Sequence, residues 1–119
     1  MVAVSRMKVC ASADIGEGGP GVRFAIDRSG KPVQAFAVRF RGKVYGYVNS
    51  CRHVPIELDW NHGEFFDTSK LYLICSTHGA LYEPDTGLCV GGPCRGKRLE
   101  ALGLEESEGQ VWLSEARSE

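Results

Sequence analysis

The sequence predicts an all-β protein. Apolar residues recur at every second position in short runs, glycine-bearing turns separate those runs, and little of the chain carries helical spacing. At 119 residues, one domain spanning 1–119 is the default reading. A chain of this size buries roughly two-thirds of its unfolded surface, enough for a modest core without staples.

The elements follow in order. Cys10 lies within an early strand and reads as a core residue. "GEGGPG" (Gly16 to Gly21) is a glycine-rich turn. It has neither the GxGxxG spacing nor a Walker lysine, so a flexible surface loop is expected rather than a phosphate cradle. "VRFAID" leads through the turn "RSGKP" into "VQAFAVRF", where Val33, Phe36, Val38 and Phe40 fall mostly on alternate sites. "RGK" turns the chain at Gly42 into "VYGYVN", a hairpin that runs straight to Cys51. The segment 54–74 is the least regular, and a loop excursion with one short turn of helix or strand is expected there. "LYLIC", "ALYE" and the turn "PDTG" follow. "KRLEALGLEE" (Lys97 to Glu106) and "QVWLSE" flank "SEG" as a closing hairpin, with Leu99, Ala101 and Gly103 or Leu104 facing inward. No internal repeat or low-complexity linker is visible.

Net charge is −1 with no long run of one sign, which argues against general nucleic-acid binding. The apolar stretch "LYLIC" is far too short to span a bilayer, and "MVAVSRMKVCASAD" lacks the apolar core of a signal peptide. A soluble, cytoplasmic chain without a membrane partner is expected. Its five cysteines are an odd number, so no complete disulfide framework exists. In a reducing compartment, grouped cysteines read more naturally as metal ligands.

Two stretches carry that chemistry. "NSCRHVPIELDW" (Asn49 to Trp60) separates Cys51 from His53 by one residue, and "ICSTHGALYEPDTG" separates Cys75 from His78 by two. Both pairs sit just past a strand, which gives a rigid base. Gly79 after His78 can take positive φ and let the backbone approach a ligand. Unrelated core cysteines and surface histidines are disfavoured by two pairs at ligand spacing. A Cys2His2 zinc site, as in a zinc-binding interaction module, is chemically reasonable, yet common zinc fingers group their cysteines together and their histidines together. A [2Fe–2S] cluster with one iron on two thiolates and the other on two imidazoles fits one ligand of each type per loop.

"C-R-H", then 21 residues, then "C-S-T-H-G" resembles the Rieske motif. "DW", "THGALYEPDTGLCVGGPCRG" and the final "QVWL" also look familiar for small soluble Rieske-type [2Fe–2S] proteins, the Rieske ferredoxins. The 21-residue spacer is longer than in most members. The resemblance implies antiparallel sheets with a small cluster-binding subdomain at about 47–94. It implies that Cys51 and Cys75 bind the inner iron and that His53 and His78 bind the outer one. "GGP", with Pro93, resembles the loop that covers the cluster.

The resemblance also bears on potential. Replacing two thiolates by neutral imidazoles removes negative charge, so Rieske centres lie at about −150 to +300 mV, against about −400 mV for plant-type ferredoxins. High-potential respiratory members have a loop-to-loop disulfide where this chain has Ile56 and Thr77, and a serine where it has Ala80. Tyr82 stands where those members have a tyrosine that donates to a ligand sulfur, and where many ferredoxins have phenylalanine. A low-potential centre raised somewhat by Tyr82 is implied, with plain core packing of Tyr82 as the alternative.

The function implied is one-electron transfer between a reductase and an oxygenase or similar terminal enzyme. The alternative is a small Rieske subunit or regulatory module of a larger redox enzyme. No catalytic residue is expected, because the loops carry no spare acid/base pair, and the size leaves no room for a full-length Rieske oxygenase. His62 reads as an exposed loop residue. Cys89 and Cys94 lie beside the covering loop and read as buried small apolar residues rather than a disulfide. Arg52, Arg95, Lys97 and Arg98 form either a basic rim for an acidic redox partner or ordinary solvated positions.

Overall fold

A computed structural model of the chain describes residues 6–51, 56–59, 61–77, 79–92 and 94–114. Its strands are β1 (Arg6–Ala11), β2 (Val22–Arg28), β3 (Lys31–Phe40), β4 (Lys43–Val48), β5 (Leu73–Ile74), β6 (Leu81–Tyr82), β7 (Cys89–Gly91), β8 (Ala101–Leu102), β9 (Leu104–Ser107) and β10 (Gln110–Ser114). They form three antiparallel sheets, ordered β1-β10-β9, β2-β3-β4-β8 and β5-β6-β7. The only helical turn among the described residues is the short 3-10 turn Ser12–Asp14, so none of their helices is long and apolar enough to cross a membrane.

Turn chemistry sets the register. Ser29–Gly30 (φ 53° and 82°), Arg41–Gly42 (52° and 83°) and Glu108–Gly109 (54° and 76°) each place two successive residues at positive φ. That is the pattern of a two-residue type I′ hairpin, whose twist matches the paired strands. The first two join β2 to β3 and β3 to β4, and the third joins β9 to β10.

Strand β3 is covered on both faces, with Ala35, Phe36, Ala37 and Val38 all fully buried. Its alternation sorts them by size. Phe36 and Val38 enter the core shared with Cys51, Cys75 and Tyr82. Ala35 packs with Ile26, Leu102 and Leu113, and Ala37 packs with Ile15 and Val111. The small side chains let the β1-β10-β9 side lie close, while the large ones fill the space beneath the metal-type loops. Phe36 stacks on Phe65 with ring centroids 4.0 Å apart. Cys10 is half-buried against the Ile15 cluster, beside a register shift in β1.

Three expectations need correction. The Gly16–Gly21 stretch is not a free surface loop. Gly18 N–H bonds Arg39 O at 3.1 Å and Gly21 N–H bonds Gly63 O at 2.8 Å. A Cβ on Gly21 would lie 2.7 Å from the Phe65 ring and 2.9 Å from Ala37 O, so glycine is needed for the close approach. The inter-loop segment is more than an excursion. Leu58, Asp59, Gly63 and Phe65 are buried, and Phe66 bridges to Leu73. Near the C-terminus Leu99 faces inward as expected, but Ala101 and Gly103 are exposed and Leu102 is buried. Leu99 precedes β8 and packs in the core beneath the loops, whereas Leu102 packs in the Ile26 core. The inward parity therefore changes between the two leucines, and Leu104 is half-buried over Gly46.

Candidate metal centre

The first loop leaves β4 at Val48 and is pinned before and after its tip. Cys51 N–H donates to Ile56 O at 2.7 Å. The Asn49 side chain closes the base: its Oδ1 accepts from Leu58 N–H at 2.8 Å and its Nδ2 donates to Asp59 Oδ1 at 2.9 Å. Asp59 is buried, and its Oδ2 accepts from Gly63 N–H at 2.9 Å. The Arg23 Nε of β2 lies 3.1 Å from the same oxygen, as an ion pair whose N–H is not aimed along a hydrogen bond. Arg23 also donates to Glu57 Oε1 at 2.5 Å and to His62 Nδ1 at 2.9 Å. His62 is thus an exposed residue paired with Arg23, in keeping with the surface role expected of it.

The second loop is a tight turn after β5. Cys75 N–H donates to Ala80 O at 2.9 Å and Gly79 N–H donates to Cys75 O at 2.7 Å, with Gly79 at φ 73°. Ser76 N–H donates to Leu58 O at 3.0 Å, which ties the second loop to the first. The third loop follows β7. A Cβ on Gly92 (φ 92°) would lie 2.9 Å from Ala80 Cα, so glycine lets this loop lie against the second.

Cys51 and Cys75 are both outside any disulfide and both buried, at 3% and 0% exposure, in one core with Ala80, Tyr82, Cys89 and Cys94. The Tyr82 hydroxyl lies 3.4 Å from Cys51 Sγ and 3.1 Å from Cys94 Sγ. Cys89 Sγ donates to Gly91 O at 3.2 Å, and burial, followed by its bond to Cys94, pushes its pKa up to about 11. His53, His78 and Pro93 lie outside the described residues. Among the described residues no third His, Cys, Asp or Glu joins a metal-binding group.

This donor set fits a thiolate-bound metal centre. Two thiols from two loops tied to each other share one buried core, and a hydroxyl is placed to hydrogen-bond one of them. Metal binding deprotonates such thiols, and the thiolate sulfur then only accepts. Two features of the site were not read from the sequence. Cys94 is a polar contact of Tyr82 as well as a buried residue. Asn49, Asp59 and Arg23 form a clamp under the first loop. The "N-S-C" and "L-D-W" pieces flanking the loop are the sequence trace of that clamp, but Arg23, on a distant strand, left none.

Residues 5–107 match the Rieske [2Fe-2S] domain. No curated protein matches the chain in sequence. Among solved structures, a complex of reduced oxygenase and oxidized ferredoxin in carbazole 1,9a-dioxygenase is 24% identical, with TM-score 0.71, over 96% of this chain and 97% of that one. The ferredoxin of carbazole 1,9a-dioxygenase from Nocardioides aromaticivorans is 22% identical, with TM-score 0.70, over 94% and 99%. A longer chain, in the reduced complex between oxygenase and ferredoxin of carbazole 1,9a-dioxygenase, is 20% identical with TM-score 0.74. This protein covers 29% of that longer chain, with 96% of its own length aligned. These likenesses establish the fold, and the all-β architecture of antiparallel sheets agrees with it. The match over most of the sequence places the chain in the Rieske [2Fe-2S] domain family, which holds a [2Fe–2S] cluster.

Proposed function

We propose that this protein is a one-electron carrier of the Rieske ferredoxin kind, passing electrons from a reductase to an oxygenase or similar terminal enzyme in the cytoplasm. Residues 1–119 act as one Rieske domain, with the cluster-binding part at about 47–94. Cys51 and Cys75 hold the inner iron and His53 and His78 the outer one, while Tyr82, Ala80 and Pro93 surround the centre. Bound there, the cluster supplies reversible uptake of one electron. The carrier role is favoured over catalysis by the likeness to ferredoxins along nearly their whole length.

The observation that carries the reading is the Tyr82 hydroxyl 3.4 Å from the buried Cys51 sulfur. A donor to a ligand sulfur stabilises the extra negative charge of the reduced state and so raises the potential. Ala80, fully buried, has no hydroxyl to add a second donor. The centre is therefore of low potential, raised by the Tyr82 hydroxyl. Protein film voltammetry of Tyr82→Phe tests this: the potential falls by an amount worth about threefold to tenfold in the oxidised-to-reduced ratio. An unshifted potential assigns Tyr82 to packing alone.

Docking is proposed through a basic rim. Arg95, Lys97 and Arg98 are exposed just after the third loop, and Arg52 lies in the first loop outside the described residues. Reversing Arg95 and Arg98 to glutamate should slow electron transfer to an acidic partner at low salt, and the difference should vanish at high salt. Equal rates at low salt would remove the rim. The second reading, a Rieske module of a larger redox enzyme, draws on the likeness to 29% of a longer chain. Stable co-purification with a large subunit would select it.

A further inference from the structure

We infer that Cys94 is a positioning residue for the electron-transfer centre, acting through the Tyr82 hydroxyl on the Cys51 sulfur. The inference rests on the reading of Cys51 as a cluster ligand. Cys94 is 1% exposed, its Sγ donates to Tyr82 Oη at 3.1 Å, and that oxygen lies 3.4 Å from Cys51 Sγ. A phenol has one proton to give. As a metal-bound thiolate, Cys51 can only accept, so the Tyr82 proton is directed to it. The contact between Tyr82 and Cys94 then runs from the thiol to the phenol oxygen. The order is Cys94 S–H to Tyr82 O–H to Cys51 sulfur, and each bond polarises the next.

The third loop holds Cys94 in place for this. Lys97 N–H donates to Cys94 O at 2.9 Å and Gly96 N–H donates to Cys89 O at 3.0 Å. The neighbouring Cys89 thiol donates to Gly91 O, and its sulfur is also a hydrogen-bond partner of Cys94. The same loop lies against Ala80 through Gly92. The third loop therefore meets the candidate centre twice, once where Gly92 packs on Ala80 and once through the contact of the Cys94 thiol with Tyr82. A buried cysteine that only filled space would not need its sulfur within reach of the tyrosine oxygen.

The test is a set of reduction potentials on cluster-loaded protein: parent, Cys94→Ala, Cys94→Ser, Tyr82→Phe and the Cys94→Ala/Tyr82→Phe double variant. Cluster content is checked by iron and acid-labile sulfide. Cys94→Ala should lower the potential by about twofold to threefold in the oxidised-to-reduced ratio, less than Tyr82→Phe does. In the Tyr82→Phe background the same change should add nothing. Cys94→Ser keeps a proton donor and should stay close to the parent, which also covers the case in which the alanine variant fails to hold its cluster. An unchanged potential in Cys94→Ala overturns the inference, as does an equal fall with and without Tyr82, or a serine variant that falls as far as Tyr82→Phe. If Tyr82→Phe alone leaves the potential unchanged, the hydroxyl bond falls first and the role of Cys94 falls with it.

Discussion

Removing the Asp59 carboxylate should loosen the first loop without touching a proposed ligand. The side chain is fully buried, accepts from Asn49 Nδ2 and Gly63 N–H, each at 2.9 Å, and faces Arg23 Nε at 3.1 Å. In Asp59→Ala the two donors lose their acceptor, at about 1–3 kcal/mol for each group left buried and unpaired. Breaking a buried ion pair costs about 3–5 kcal/mol where the surviving charge is stranded. Arg23 is not stranded, because its side chain is 23% exposed and still reaches Glu57 and His62. The two ways of counting overlap, and the retained partners set the total near the lower end, at about 3 kcal/mol. Asp59→Asn keeps the shape and one acceptor oxygen, so it should lose about half as much. Denaturant midpoints give the stability change, and the rate at which the cluster's visible colour bleaches gives its local part. Asn49→Ala should weaken the same clamp, and the two losses should be non-additive, since the residues are bonded to each other. A midpoint and bleaching rate unchanged in Asp59→Ala would refute the clamp.

Gly21→Ala and Gly46→Ala separate a rigid contact from a soft one. The Gly21 Cβ would meet a backbone carbonyl at 2.9 Å as well as the Phe65 ring, whereas the nearest atoms to a Gly46 Cβ belong to the Leu104 side chain, with its Cγ and Cδ1 each at 2.8 Å. Thermal unfolding should show the Gly21 change costing about 2–3 kcal/mol and the Gly46 change about 1 kcal/mol or less; the reverse order would contradict the packing. Glu106 gives a pH prediction. Its hydrogen bond from Arg39, at 2.7 Å, holds its pKa down to about 2, against an ordinary 4.5. The carboxylate thus contributes stability that is complete above about pH 4.5 and is lost as pH falls toward 2. With the side chain 30% exposed, solvent screening reduces the contribution to about 1 kcal/mol. The stability gap between the parent and Glu106→Gln should close across that acid window, and a gap independent of pH would contradict it.

The sequence made the hairpins legible because their determinants are local. Ser29–Gly30, Arg41–Gly42 and Glu108–Gly109 each carry turn chemistry in adjacent residues. Cys51 and Cys75 are legible as candidate ligands for the same reason, since each sits at fixed spacing from a histidine just past a strand. What escaped depends on contacts between distant segments. Gly21 reads as part of a loose loop until Phe65 is packed on it, and Asp59 reads as a polar loop residue until Arg23 arrives from β2. The inward parity of Leu99 and Leu102 changes because the two residues serve different cores, which alternation along one strand cannot show. Cys94 reads as an apolar filler because its hydrogen bond runs from the third loop to Tyr82 on β6, a contact that local sequence does not show.

The split ligand set is tested most directly by pulsed EPR of the chemically reduced protein, read for nitrogen hyperfine couplings. The account predicts a spectrum with couplings from two directly bound imidazoles, His53 and His78, in a protein that carries iron and acid-labile sulfide. An iron–sulfur signal with no coordinated nitrogen, or a colourless zinc protein without sulfide, would contradict it.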